Sequence, residues 1–266
     1  TKLAVAPSFH LCGSCDWMAS FRKDELISEE GLRVDGRRAK ELRRIQSKMG
    51  IVPDADGSAY FQQGHTEVIV TIYGPMEAKS RRNMSHDRAV INCEYSMAPF
   101  STGERKETRK GDRRSTEIAL LIKQTFESVV LCELAPRSQI DIFISVIQAD
   151  GGTRCAAINA ATLALIDAGI PMREFVCSCA AGFVNGTAIL DLNYLEDSSG
   201  ADIPVAMLPQ SEKVIMLQMD SKLRLEEFDE VLRLAMEGCK AVHEILLEAV
   251  RERTNALVSS RGAFNS

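Results

Sequence analysis

The chain has 266 residues, of which 45% are apolar, 26% charged and 6% aromatic, with a formal net charge of −5. That is the make-up of an ordinary globular protein with room for one large or two smaller cores, and it excludes a uniformly basic nucleic-acid binder and a surface rich in base-stacking rings. The charge is uneven: 23 of the 32 basic side chains but only 21 of the 37 acidic ones lie at or before Arg154, so a polyanion is expected to meet the first half.

Residues 1–25 are expected as a disordered leader, with Met18 a candidate start. Cys12 and Cys15 form a CxxC near His10, but no second ligand pair stands at zinc-finger spacing, so zinc is not expected. The other cysteines fall in apolar runs, where a free thiol behaves as a small hydrophobe, and suggest a reducing compartment. No apolar run approaches the roughly 18 residues of a membrane span.

A charged segment follows, and residues 42–52, 58–63 and 66–73 read as three strands, separated by the turns Pro53-Asp54-Ala55-Asp56-Gly57 and Gln63-Gly64-His65. A basic loop over 76–88 carries Arg81 and Arg82, a fourth strand spans 89–98, and a second basic loop runs over 101–114. Apolar residues at Ile118, Leu121, Ile122, Phe126 and Val129 follow a helical period, so 116–130 is a helix opened by Arg113-Arg114. Pro136 breaks the chain, 140–147 is a strand, and 155–168 is a second helix ending at Gly169-Ile170-Pro171. Strands over 177–183, 187–190, 203–208 and 214–219 then precede a long helix from 225 to about 250. Strands followed by a helix thus occur twice. The expected class is α+β, in two similar halves over 26–170 and 171–255, with 256–266 as a flexible tail.

Two stretches carry chemistry. Asp150-Gly151-Gly152-Thr153-Arg154 joins a strand to a helix, where the glycines let the backbone approach an oxyanion and the free N–H groups of the helix start face it. Arg114 stands at a second helix start, suited to bidentate contact with phosphate. Glu196-Asp197 and Asp202 lie in a polar loop, and two carboxylates there can ligate a hard cation or protonate a leaving oxygen. Each has a plainer reading, as a tight turn, a solvated basic face or a soluble acidic loop. The histidines suggest no Ser-His-Asp or Cys-His arrangement.

Leu32-Arg33-Val34-Asp35-Gly36-Arg37, together with the stretches 97–105, 114–117, 136–141 and 148–154, resembles the ribonuclease PH family. The stretches 167–173 and 190–194 narrow the likeness to the ring subunits of the RNA exosome, and it covers roughly residues 26–255. The resemblance implies the ribonuclease PH fold of two βαβα-like halves with mixed sheets backed by helices, and a six-membered ring threading single-stranded RNA. It implies 3′-to-5′ phosphorolysis, with inorganic phosphate as co-substrate and Mg2+ as cofactor, in rRNA maturation and mRNA turnover. Carried over by motif, Arg114, Gly152, Thr153 and Arg154 bind phosphate, Asp197 and Asp202 are catalytic and hold the metal, and Arg113, Arg81, Arg82 and Arg137 bind RNA. The implied partners are other ring subunits of the same type, RNA-binding cap subunits and an associated hydrolytic nuclease, in nucleus, nucleolus and cytoplasm, with no membrane. The interval from Asp197 to Asp202 is one residue shorter than in active members. An inactive ring subunit that channels RNA to the hydrolytic nuclease is the alternative. A free homohexameric transfer-RNA trimming enzyme is less favoured.

Overall fold

The computed structural model describes residues 26–28, 31–77, 85–103, 105 and 112–263, with side chains to residue 259. A five-stranded sheet is built from β1 (Ile45–Met49), β2 (Gly57–Gln63), β3 (Thr66–Glu77), β4 (Val90–Met97) and β5 (Ser138–Gln148), in the order β1-β2-β3-β5-β4. Its neighbours are antiparallel except β4 and β5, which run parallel with Glu94 opposite Phe143. The parallel pair needs a crossover, and α1 (Arg113–Val129) supplies it. The second sheet is antiparallel throughout, with β6 (Cys177–Val184), β7 (Thr187–Leu190), β8 (Ala201–Leu208) and β9 (Lys213–Leu217) in the order β7-β6-β8-β9. The α+β class expected from the sequence is what the chain adopts, in two sheets of which only the first is mixed.

The centre of the molecule is α2 (Thr153–Asp167). Every residue from Cys155 to Leu165 is buried, because the helix touches β2 and β3 on one side and β6 and β8 on the other. A helix apolar on all faces has to be enclosed on all faces. Its two polar intruders are satisfied: Asn159 Nδ2 donates to the Ser178 carbonyl and its Oδ1 accepts from the Ser178 amide, both at 2.8 Å, while Thr162 Oγ1 donates to the Val176 carbonyl at 2.9 Å. These bonds tie α2 to the start of β6, and so the first half to the second. By contrast α1 is two-faced, with Ile118, Ile122 and Phe126 buried and Leu120 exposed.

Two differences from the sequence reading stand out. Residues 194–199, expected as loop, form the short helix α3 (Tyr194–Ser199). The last helix, α4 (Leu225–Ala263), passes its expected end near residue 250 and continues into the segment expected as a flexible tail. It packs on β6, β7 and β8 and reaches β1. Residues 1–25, with Cys12 and Cys15, lie outside the described residues. Among those described, no helix is long and apolar enough to cross a membrane.

Candidate functional site

The phosphate-type turn forms where β5 runs out. Gly151 and Gly152 take φ values of 73° and 63°, in the left-handed region that favours glycine. A Cβ on Gly151 would lie 2.7 Å from the Leu192 carbonyl oxygen, so the absent side chain also lets the turn press against the backbone of the second half. Thr66 Oγ1 donates to the Gly151 carbonyl at 2.8 Å and accepts from the Asp150 amide at 3.1 Å. No side chain caps α2 at Gly152, so the first N–H groups of the helix are left for a ligand.

The acidic arm comes from the second half. Asn193 caps α3 through its side chain, which accepts from the Glu196 amide at 3.0 Å, and Glu196 reaches back to the Asn193 amide at 3.0 Å. This reciprocal capping box fixes a helix too short to stand alone. It also places Asp197 in the first helical turn, and Gly200 then passes the chain to β8, where Asp202 pairs opposite Gly182. Glu196 is held in turn by a two-pronged pair with the buried Arg33.

Arg114, Gly152, Thr153 and Arg154 meet Asp197 and Asp202 around one cavity of about 260 Å3. Both aspartates thus line the same cavity as the phosphate-type turn. Burial pushes Asp202 up from 3.8 to about 7, helped by the neighbouring charge of Asp197 and opposed by Arg154. Asp197 is also raised, first by burial, against a hydrogen bond from Asp202 and the pull of Arg114 and Arg154. The two acids share protons as a pair. Asp202 Oδ1 is buried with no hydrogen-bond partner.

Sequence reasoning missed three residues here. Asp220, in the link between β9 and α4, lines the cavity and lies 3.6 Å from Arg154 Nη1, with its side chain 66% exposed. Ser221 lines it too, and its hydroxyl is buried without a partner. Tyr95 is buried beside Thr153, and its phenol is raised by burial against the charges of Arg114 and Arg154. None carries a local signal: Asp220 reads as a turn residue and Tyr95 as one position of an alternating strand.

Of the proposed RNA-binding arginines, the two that are described, Arg113 and Arg137, do not line this cavity. Arg113 is exposed beside Arg114 without lining it. Arg137 sits in the turn before β5, at the opposite end of an 11-residue strand from the glycines, roughly 35 Å away at about 3.3 Å per residue. Glu77, where the loop bearing Arg81 and Arg82 departs, pairs with Ser138 next to Arg137. Arg81 and Arg82 themselves lie outside the described residues.

Among the described residues no group of three or more His, Cys, Asp or Glu side chains is arranged to hold a metal ion. The six described cysteines are free, and burial pushes the thiols of Cys93, Cys155 and Cys177 up to about 12, so they are inert.

The model of RNase PH, the 3′ exoribonuclease family, matches residues 41–171 through its domain 1 and 174–238 through its domain 2. The chain is 55% identical to the "Exosome complex component RRP41 homolog" of Arabidopsis thaliana over 241 residues, covering 90% of this chain and 100% of that one. It is 50% identical to "Exosome complex component RRP41" of Mus musculus over 240 residues, covering 90% and 98%. With "Exosome complex component Rrp41" of Pyrococcus horikoshii the figures are 49% over 230 residues, covering 86% and 92%. The fold is shared with the crystal structure of rice (Oryza sativa) Rrp46, at a TM-score of 0.74 and 22% identity over 82% of this chain and all of that one. It is shared also with the Archaeoglobus fulgidus exosome with RNA bound to the active site, at a TM-score of 0.72 and 22% identity over 84% and 96%.

Proposed function

Since the chain belongs to the RNase PH 3′ exoribonuclease family, we propose that it is a ring subunit of the RNA exosome, of the component-four type, retaining a phosphorolytic site. The relatives that carry the exosome name at about half identity support the assembly. The observation that carries the activity is the meeting of Arg114, Gly152, Thr153 and Arg154 with Asp197 and Asp202 in one cavity.

In this reading the N–H groups at Gly152 and Thr153 and the guanidinium groups of Arg114 and Arg154 hold inorganic phosphate. A phosphate oxygen attacks the last phosphodiester phosphorus of the RNA, the bond to O3′ breaks, and a nucleoside diphosphate leaves. The shortened RNA keeps the O3′, which must gain a proton. Asp202, whose carboxyl burial raises to about 7, lines the cavity with the arginines and can give it. Positioning and charge stabilisation are most of what phosphoryl transfer asks of a protein. Arg113 holds the RNA backbone near its 3′ end, and Arg137, Arg81 and Arg82 meet the strand earlier on its path.

Mg2+ fits the acidic arm. The donors are hard carboxylate oxygens and Asp202 Oδ1 has no protein partner, while two carboxylates completed by water and substrate phosphate are an ordinary magnesium set. When bound, the ion would supply neutralising charge to the phosphate oxygens and would take Asp202 as a carboxylate, so that the metal-ligand and proton-donor roles of Asp202 are alternatives. The partners are the other ring subunits of this family, RNA-binding cap subunits, single-stranded RNA and an associated hydrolytic nuclease, in nucleus, nucleolus and cytoplasm.

The pairing of Arg154 with Asp220 favours a second reading, in which the phosphate arginine is already neutralised and the subunit only channels RNA. A reconstituted ring given 5′-labelled single-stranded RNA, phosphate and magnesium separates the two. Nucleoside diphosphates that disappear in Asp202→Asn support phosphorolysis. No diphosphates from the ring alone, with monophosphates appearing only on addition of a separate nuclease, refute it.

A further inference from the structure

The two halves of the site belong to different domains, and one side chain spans them. Arg43, 7% exposed and just before β1, donates through Nη1 to the Asp150 carbonyl at 2.6 Å and through Nη2 to the Gly151 carbonyl at 3.4 Å. The same guanidinium grips the Asp191 carboxylate, from Nε at 3.0 Å and from Nη2 at 2.7 Å, and the Arg43 amide adds a third bond to that carboxylate at 2.8 Å. Its Nη2 lies 3.1 Å from where a Cβ on Gly152 would stand, directly behind the phosphate-type turn.

We infer that Arg43 is a positioning residue that holds the phosphate-binding turn in register with the acidic arm, so that the segment preceding β1 is part of the site. The inference rests on the phosphorolytic reading for its effect on rate, and on geometry alone for the coupling of the two loops.

Three features argue for positioning rather than contact with substrate. The charge of Arg43 is already matched by Asp191, a buried carboxyl that Arg43 holds below its ordinary range against the cost of burial. Four donor contacts of the planar fork are used on protein acceptors, and the residue does not line the cavity. The acceptors are backbone carbonyls on one side and the first residue after β7 on the other, so a shift of either loop breaks a bond. The direct polar link between the loops is weaker: the Tyr194 amide to Asp150 Oδ1, at 3.4 Å.

The same segment holds the rest of the arm. Arg33 Nη1 donates to the Leu190 carbonyl at 2.6 Å and Nη2 to the Asp191 carbonyl at 2.9 Å, and the guanidinium pairs with Glu196, the residue before Asp197. Leu26 adds an apolar anchor among Cys155, Ala180, Val184, Ile189 and Leu192. Arg33 lies ahead of residue 41, where the match to the family model begins. A lysine in place of Arg43 cannot meet a carboxylate and two carbonyls from one rigid plane, and a displacement of about 1 Å between reacting groups is enough to cost on the order of 100-fold in rate.

The test uses the full chain, alone and in the reconstituted ring, with Arg43→Lys and the double variant Arg43→Met with Asp191→Leu. The double variant removes both charges together, which is often neutral for folding, but still cuts the clamp on the turn. In amide hydrogen exchange, the amides of 150–154 and 191–197 are expected to speed up together in both variants while α2 and the sheets keep their protection. In the ring, kcat is expected to fall by about 10- to 100-fold with saturating phosphate, less for Arg43→Lys. Unchanged exchange in either loop, or in only one of them, overturns the inference. A double variant with normal kcat in a ring whose wild type is active also overturns it. A wild-type ring that releases no diphosphates defeats the functional reading instead, and the exchange result still decides the coupling.

Discussion

Asp202→Asn turns the electrostatics of the site into a stability measurement. In the unfolded chain Asp202 titrates near 3.8 and in the folded protein near 7. Between those values the folded state holds a proton that the unfolded state has released, so stability falls as pH rises, by about 1.4 kcal/mol per unit for one proton. The stabilisation is fully present below 3.8 and is lost as pH passes 7. Over the interval of roughly three units the loss sums to about 4 kcal/mol. The amide introduced by Asp202→Asn cannot ionise, so the variant lacks this slope, and Asp197, raised by burial, keeps a neutral neighbour that can hydrogen-bond to it. Urea denaturation of the full chain from pH 4 to 8.5 without divalent cations is expected to give near-equal stability at pH 4 and a growing advantage for the variant, up to about 4 kcal/mol at pH 8. Magnesium at ten times its dissociation constant is expected to return about 1.4 kcal/mol to the wild type at pH 8 and little to the variant. Parallel curves for the two proteins across the whole range would refute the raised, buried carboxyl on which the proton-donor role depends.

Arg154→Ala removes a guanidinium from the phosphate side of the cavity. A charged hydrogen bond contributes about 1.5 to 3 kcal/mol, so kcat/KM for phosphate is expected to drop by about 10- to 150-fold with the ring still assembled. Failure of the ring to form would make the residue structural. Asp220→Asn frees that arginine from an exposed pair that contributes no more than about 1 kcal/mol, so the KM for phosphate should fall by about 2- to 5-fold. A higher KM would show that Asp220 helps to bind substrate rather than competing with it. In Gly151→Ala a Cβ meets the Leu192 carbonyl oxygen at 2.7 Å in a left-handed backbone, and a loss of about 1 to 3 kcal/mol in urea denaturation is expected. A loss below about 0.5 kcal/mol would mean that the turn does not press on the acidic arm as described.

The strands were legible because their side chains obey the sheet: β3 alternates buried and half-buried positions from Thr66 to Gly74, and that alternation is visible in the residue types. The second helix was legible for the opposite reason, since an apolar run of that length between a glycine pair and Gly169-Ile170-Pro171 has to be a buried helix. α3 was not, because Glu196, Asp197, Ser198 and Ser199 show no apolar face. Its only sign is Asn193 followed three residues later by Glu196, a capping box that acts whether or not a face is buried. The extension of α4 was missed because Arg251, Glu252 and Arg253 read as a solvated end. Yet Arg253 Nε reaches Asp167 Oδ1 at 3.2 Å, so charge there marks a contact with the end of α2.

The chemistry of the site was visible residue by residue, but its register was not. Gly152 and Arg154 suggest an anion site by local sequence, and Asp197 and Asp202 suggest an acidic one by type. What brings them together is a set of buried guanidinium groups whose partners lie far along the chain: 148 residues from Arg43 to Asp191 and 163 from Arg33 to Glu196. Read locally, an arginine before a strand predicts a solvated charge. Burying it is costly unless every N–H finds an acceptor, and a chain that meets that cost at Arg33 and again at Arg43 does so where a carboxylate and two carbonyls must be held at once. The expensive groups therefore mark the seam between the two domains, and the seam is where the geometry of the proposed site is set.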